Sequence, residues 1–335
     1  MTRTYHKTIV FTKTPLLRTF KYKDIFQIYP ANLENMPDSN LKRHYPIILE
    51  YWTDETENVN MPSEYEELKD LFTETATLLT KQDMILSLLT VISNHLFFRY
   101  NDTTGMWGIP ILKDDAGEEA NTWSSKWNLA FYHAPGLPAQ LKITEFTNVD
   151  YSKIDYVHHF PYYLQDPNLD FTATKEINFP ATIDMTLDSY FSKSDKIRVI
   201  LDTAISYTVS AMELRQQKKT LSIISSFTAV ETMVNLEYRD AEVENCETCG
   251  QQKFKVAAKY RDYLLKYIGT GTNNKKKFNM YYSLRSKIVH TGVRLKTETL
   301  FADLPKEEKD KEFLNLIEIL QMGKLAIIQW LLNNP

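Results

Sequence analysis

Arg285 and His290 stand five positions apart in the run Tyr282-Ser283-Leu284-Arg285-Ser286-Lys287-Ile288-Val289-His290-Thr291-Gly292. An imidazole can take or give a proton near neutral pH. A planar, permanently charged guanidinium suits the oxygens of a phosphate. Together they could perform acid–base chemistry while stabilising developing negative charge. The spacing alone is weak in a chain with seven histidines, and its setting gives it weight. Between Lys253 and Lys296 twelve basic residues face a single acid, Asp262. Such a local excess concentrates polyanions at one face. A solvated helix face with a basic loop is the plainer reading of the same residues.

The run has helical character, and five steps of about 100° put Arg285 and His290 roughly 140° apart around an ideal helix and about 7.5 Å apart along it. One straight helix therefore does not aim both at one phosphate. A helix ending near His290, or a second copy across a two-fold axis, would solve the problem. Gly292 is a residue type that often takes the left-handed position after a helix end. His290 would then lie where the helix dipole attracts cations. Glu231 is a further candidate, since a lone carboxylate between Val230 and Met233 is unfavourable unless paired. Pairing with Arg285 would fix the guanidinium, and exposure on the wet side of its helix is the alternative. The structural use of the same residues would have His290 packed on Tyr282 and Arg285 in a surface ion pair.

Cys246-Glu-Thr-Cys249-Gly250 has half the spacing of a zinc site. A structural zinc needs four ligands, so histidines or the same pair from a second subunit would have to complete it. Reduced loop thiols or a redox pair are the alternatives. Two other clusters carry less. Asp155, His158, His159, Asp166 and Asp170 are interleaved with Tyr and Pro and match no helical ligand pair, so they read as a structural loop. Pro37-Asp38 followed by Glu67-Leu68-Lys69 resembles a metal-dependent nuclease pattern only superficially, because Glu67 and Lys69 fall on a predicted helix.

The elements that must position these groups change character along the chain. From 1 to 192 the sequence predicts an α+β domain. Short β-rich runs occur at Ile9–Phe11, Tyr45–Trp52, Trp127–Tyr132 and Leu141–Phe146. Helical spacing covers Ser63–Leu79 and Lys81–Phe98. Residues 151–190, rich in Tyr, Pro, Asn and Asp, read as an extended connector. From 193 to 335 the sequence predicts an all-α bundle of five helices. These run from a Ser194 cap to about Gln216, Leu221–Leu236, Phe254–Ile268, Lys275 to about Thr291, and from Pro305 to Leu332. Charge divides along the same line. Met1–Lys193 holds 17 Lys/Arg against 26 Asp/Glu, and Ser194–Pro335 holds 22 against 17.

Composition removes several options. Nine glycines in 335 residues are well under half the usual share of about 7%. Neither a dinucleotide fingerprint nor a P-loop is present. No run approaches the ~18 apolar residues of a membrane span. The opening Met-Thr-Arg-Thr-Tyr-His-Lys lacks the apolar core of a signal peptide. With two cysteines the expected location is the reducing cytoplasm, with no membrane partner.

Over about Ser194 to Leu332 the sequence resembles the Apea-like branch of the HEPN superfamily. The resemblance rests on Arg285-Ser-Lys-Ile-Val-His290-Thr-Gly292, on Phe227-Thr-Ala-Val-Glu231, and on Cys246-x-x-Cys249-Gly250. It implies a HEPN-like helical bundle that dimerises so that two Arg-x(4–6)-His motifs converge. It also implies a metal-independent endoribonuclease of an antiviral or toxin system. Arg285 and His290 would be catalytic, with Glu231, Ser286 and Tyr282 in support. RNA would lie along Lys275, Lys276, Lys277, Lys287 and Arg294 and be left with 2′,3′-cyclic phosphate and 5′-hydroxyl ends. No cofactor would be required for that catalysis; zinc at Cys246 and Cys249 would be structural. The acidic N-terminal part would act as a sensor or regulator, answering to an antitoxin or a phage-derived trigger. Ser286 departs from the Asn, Asp or His that active members often carry after the arginine. That departure favours the alternative, a catalytically silent HEPN dimer serving as an RNA-binding or scaffold module.

Overall fold

The structure, a computed structural model, describes residues 3–31, 45–54, 69–99, 109–112, 121–124, 129–132, 141–158, 176–241, 244–245, 252–253, 255–299 and 303–335. The chain forms two compact units. One comprises Met1–Leu89, His95–Tyr156 and Asn168–Phe179, and the other Thr90–Asn94, Val157–Pro167 and Pro180–Pro335. The α+β and helical characters expected from the sequence are both present.

The first unit is built on a five-stranded antiparallel sheet: β1 (Arg3–Thr12), β2 (Phe20–Tyr22), β3 (Phe26–Pro30), β4 (Tyr45–Asp54) and β5 (Phe97–Phe98), in the order β2-β3-β4-β1-β5. Residues 47–51 of β4 are buried on both faces of the strand. Ile47, Leu49 and Tyr51 alternate with Ile48 and Glu50, as the two-residue period of a strand requires. On the face of Tyr51 lies the helix α1 (Lys69–Ser93), whose Leu78 carbonyl accepts a 3.2 Å bond from the Tyr51 hydroxyl. A smaller antiparallel sheet has β6 (Ile109–Leu112), β7 (Asn121–Ser124) and β8 (Leu129–Tyr132) in the order β6-β8-β7.

On the other face, register places an unexpected row. Gln27 of β3 pairs with Glu50 of β4, which pairs in turn with Lys7 of β1, so three polar side chains lie side by side. Glu50 is fully buried. It accepts hydrogen bonds from Gln27 Nε2 (2.7 Å), Tyr29 Oη (2.6 Å), Thr147 Oγ1 (2.6 Å) and the Thr147 backbone N–H (2.9 Å), with Lys7 Nζ at 3.5 Å. A buried carboxylate is tolerable only when its lone pairs are satisfied in this way. Burial pushes its pKa up, and the bonds from Thr147, Tyr29 and Gln27 outweigh that, holding it below the ordinary glutamate value.

Three sequence expectations change here. From Lys69 to Ser93 one continuous helix runs through Thr80, where the sequence predicts two helices meeting, and residues 63–68 lie outside the described ones. It stops at Asn94, whose left-handed backbone (φ 64°) is the kind of stop Asn tolerates, and Phe97–Phe98 beyond it is strand. Leu141–Phe146 is irregular rather than a strand; the N–H and hydroxyl of the adjoining Thr147 go to the Glu50 carboxylate instead of a neighbouring ladder. The end of the 151–190 stretch read as connector instead belongs to a helix, α2 (Ile183–Ser192), with Ile183, Thr186, Leu187 and Tyr190 on its buried face.

The helical unit continues with α3 (Asp195–Leu214), α4 (Lys219–Glu237), α5 (Val256–Tyr267), α6 (Thr272–Thr291) and α7 (Lys306–Asn333). Among the described residues from 193 to 335 these are five α-helices, the number the sequence predicts, and α2 precedes them. Ser194 occupies the cap position before α3 without its side chain making the capping bond, and Pro305 that before α7. The short 215–218 connection folds α4 back along α3, where the Ser222 hydroxyl donates to Ala211 O at 2.6 Å. Helix α7 crosses α4 at Gly323 and Ser226, whose hydroxyl donates to Ile319 O at 2.7 Å. A Cβ on Gly323 would meet that Ser226 Oγ at 2.6 Å. Gly323→Ala is therefore expected to destabilise the protein by about 1–3 kcal/mol through overpacking, read as a lower urea midpoint with an unchanged slope. Tyr263 Oη of α5 reaches Ala326 O (2.8 Å), and Glu237 at the end of α4 accepts from Tyr267 Oη and Trp330 Nε1, both at 2.9 Å. No helix among the described residues is long and apolar enough to cross a membrane.

Candidate active site

Helix α6 presents two different faces. Phe278, Tyr281 and Ile288 are buried, and Arg285, four residues after Tyr281 and three before Ile288, belongs to that inward stripe. Lys276, Ser283, Lys287 and His290 recur at helical spacing on the opposite, exposed side. Gly292 ends the helix in the left-handed region (φ 66°), its N–H bonding Ile288 O at 3.0 Å, as expected of its type. His290 thus sits in the last turn, open to solvent.

Arg285 is held by Glu231 of α4. Its Nη2 donates to Glu231 Oε2 at 2.9 Å, and its Nε lies 2.8 Å from Oε1, an ion-pair approach without hydrogen-bond alignment. Both side chains keep about a fifth of their surface exposed, 23% and 20%. The carboxylate inside an apolar helix is therefore the partner of the arginine. Charge-assisted bonds of this kind give the guanidinium a fixed plane. Around the pair stand aromatic rings from three helices. Tyr260 of α5 has its ring 5.1 Å from Tyr282 of α6 and 6.3 Å from Phe227 of α4. The Tyr260 hydroxyl is buried and, among the described residues, has no hydrogen-bond partner. Burial first, and then the nearby Glu231 carboxylate, push its pKa well above the ordinary tyrosine value. It stays a neutral phenol beside the pair.

Glu231→Ala removes the counter-charge from a part-buried guanidinium. The expected cost is about 1.5–3 kcal/mol, the range for a hydrogen bond to a charged group. In a double-mutant cycle with Arg285→Ala the two losses should fall short of additive; urea unfolding of the four proteins reads both quantities.

The other expected residues divide. Tyr282 packs on Tyr260 rather than on His290, which removes the packing role once open to that histidine. Ser286 is half-buried beside Arg285. Lys275 and Lys276 are exposed in the first turns of α6, and from Lys276 to His290 the helix rises about 21 Å. Lys277 is engaged by Glu318 Oε1 at 2.9 Å. Lys287 shares the exposed face of His290, one turn before it, and Arg294 is exposed just beyond the helix end. Cys246 and Cys249 lie outside the described residues, as do His159, Asp166, Asp170 and the residues 37–38 and 67–68. Among the described residues no group of three or more His, Cys, Asp or Glu could hold a metal ion.

Sequence reasoning passed over Tyr260 and an open groove of about 850 Å³ beside the end of α6. One wall is the α3–α4 connection and the start of α4, from Gln216 to Leu221 and Ile224; the other is Ile288, Val289 and the 292–294 turn. Gln216-Gln217-Lys218-Lys219 was visible as a polar run, but nothing in its spacing joined it to residues seventy positions later. Within one chain the structure joins Arg285 to Glu231 and leaves His290 apart on the exposed face. No family model, no curated protein and no solved structure matches this chain.

Proposed function

We propose that the chain is a HEPN-type, metal-independent endoribonuclease acting as a homodimer, with Arg285 and His290 of both copies around one phosphodiester. The observation that carries this reading is the division of labour on α6. Arg285 is oriented by Glu231, and the solvent-facing His290 ends the same helix. A two-fold axis near that end would place one copy's imidazole against the other's.

The chemistry follows from those groups. One His290 takes the proton of a ribose 2′-hydroxyl as its oxygen attacks phosphorus. The other gives a proton to the departing 5′-oxygen as the P–O5′ bond breaks. Arg285 offsets the charge that accumulates on the non-bridging oxygens. The products are a 2′,3′-cyclic phosphate and a 5′-hydroxyl. Lys275, Lys276, Lys287 and Arg294 would supply backbone contacts at intervals along the strand. In this reading the acidic first unit restrains the nuclease until an antitoxin is lost or a phage-derived trigger binds, and the protein works in the cytoplasm.

A second reading, a silent HEPN dimer that binds RNA or scaffolds a partner, draws on Ser286 and on the engagement of Arg285 by Glu231. End analysis separates the two. RNA incubated with purified protein in chelator should acquire cyclic phosphate and 5′-hydroxyl ends; intact RNA across single-stranded and structured substrates would leave the silent module.

A further inference from the structure

The groove beside α6 combines three kinds of group that a nucleotide uses. Lys218, Lys219 and Arg294 place cations on its rim. Gln216 and Gln217 are exposed at one end, and each amide can both donate to and accept from a base edge. The floor is aliphatic. Leu221, Val289 and Val293 are 51%, 47% and 41% exposed, more than isolated surface residues of their type need to be when they cluster. Among the described lining residues the one carboxylate, Glu298, is already engaged. It accepts from the Thr220 N–H at 2.9 Å and from the Thr220 hydroxyl. The lining thus sets three cations against one carboxylate, a net positive balance.

Size and position narrow the occupant. About 850 Å³ lies inside the 300–1,000 Å³ range of small-ligand clefts, room for a nucleotide or two rather than a duplex. Val289 and Gly292 line the groove and flank His290 in sequence; His290 itself is not among the lining residues, so the groove opens at the same end of α6 that carries the imidazole, within about one nucleotide of it along the helix. We infer that the groove is a subsite for an unpaired nucleotide adjacent to the cleaved phosphodiester. Its base lies on Leu221, Val289 and Val293 with its edge toward Gln216 and Gln217, and its phosphate meets Lys218, Lys219 and Arg294. This rests on the reading of the protein as an RNA-cleaving enzyme, and it specifies single-stranded RNA as the substrate. Duplex RNA is excluded because its bases are not free to leave the stack.

The test uses the full chain and a 2′-O-methylated single-stranded oligoribonucleotide, which lacks the attacking hydroxyl and so reports binding alone. Leu221→Asp and Val293→Asp should each weaken binding by about tenfold, since a carboxylate then faces the strand. Arg294→Ala should reduce the slope of log K against log salt by about 0.7, one phosphate contact on a single strand. The melting temperature and molar mass of all three should match the parent, because these positions are exposed. Unchanged affinity and slope in variants that melt normally would overturn the subsite. So would a fall in molar mass, which would make the groove a protein–protein surface. The two readings separate cleanly. Cleavage by the parent with binding indifferent to Leu221→Asp removes the subsite and leaves the enzyme. Binding weakened by Leu221→Asp without any cleavage by the parent removes the enzyme and leaves the subsite.

Discussion

His290→Ala should abolish RNA cleavage, lowering the rate by at least about 10²–10⁴-fold, the usual contribution of a positioned acid or base. The side chain is exposed and ends a helix, so its removal leaves no cavity and the melting temperature should not move. Affinity for an uncleavable oligonucleotide should also stay, since an imidazole adds little to a rim already carrying Lys218, Lys219 and Arg294. The informative extension is a mixing experiment. If one phosphodiester needs the imidazole of both copies, adding His290→Ala protein to the parent and allowing exchange should depress activity more steeply than dilution does. Linear loss would mean that each copy works alone. The 140° separation of Arg285 and His290 around a helix makes that outcome hard to reconcile with any cleavage by these two residues.

Glu50→Ala should be the most damaging single change to the first unit. The substitution strips the shared acceptor from Gln27, Tyr29 and Thr147 and leaves Lys7 facing a void. Removing one member of a buried charged network costs about 3–5 kcal/mol, a large share of the roughly 5–15 kcal/mol that holds an ordinary domain folded. Glu50→Gln keeps the volume and should cost less, about 1–3 kcal/mol. The pH dependence has a definite sign. The folded pKa of Glu50 lies below its ordinary value of 4.5, so the unfolded chain binds the proton more readily. The stabilisation is complete above the unfolded value and is lost as the pH falls through the folded one. Unfolding midpoints measured from pH 7 downward should therefore drop in acid. Glu50→Gln should flatten that limb in part, because Glu237, also held low, keeps its own share.

The bundle was largely legible because its helices are long and one-sided. Ile197 through Met212, Ile224 through Val234 and Leu316 through Trp330 repeat at helical spacing, and their boundaries fall within a few residues of the observed ones. Gly292 as a stop needed only its residue type. What escaped were features whose signal lies elsewhere in the chain. Ile183, Thr186, Leu187 and Tyr190 have helical period, yet ten residues amid Tyr and Pro gave it little contrast. Leu141–Phe146 alternates like a strand, but pairing depends on a neighbour that a single segment cannot reveal. The row Gln27–Glu50–Lys7 follows from register between three strands, and register is a tertiary property.

At the site, the same contrast holds. That Glu231 needs a partner could be argued from the cost of an unpaired carboxylate, and Arg285 is that partner. The groove could not be anticipated. It exists because α4 begins beside the place where α6 ends, two points about seventy residues apart in the chain. Lys324 shows the limit from the other side. It looks like an ordinary surface lysine in sequence, yet it is wholly buried in α7, and burial pushes its ammonium well below the ordinary lysine range.

The short helix α2 has a consequence for biosynthesis. Its Ser189 hydroxyl lies within hydrogen-bond reach of two carbonyl oxygens, Leu331 O at 2.7 Å and Asn334 O at 2.9 Å, between which its one proton is shared, across 142 positions in the first case. A ribosome adding about 5–20 residues per second takes on the order of ten seconds to cover that distance. Until α7 is made, Ser189 of α2 lacks its partners there, and the helices carrying Glu231 and Arg285, once formed, lack the surface α7 gives them.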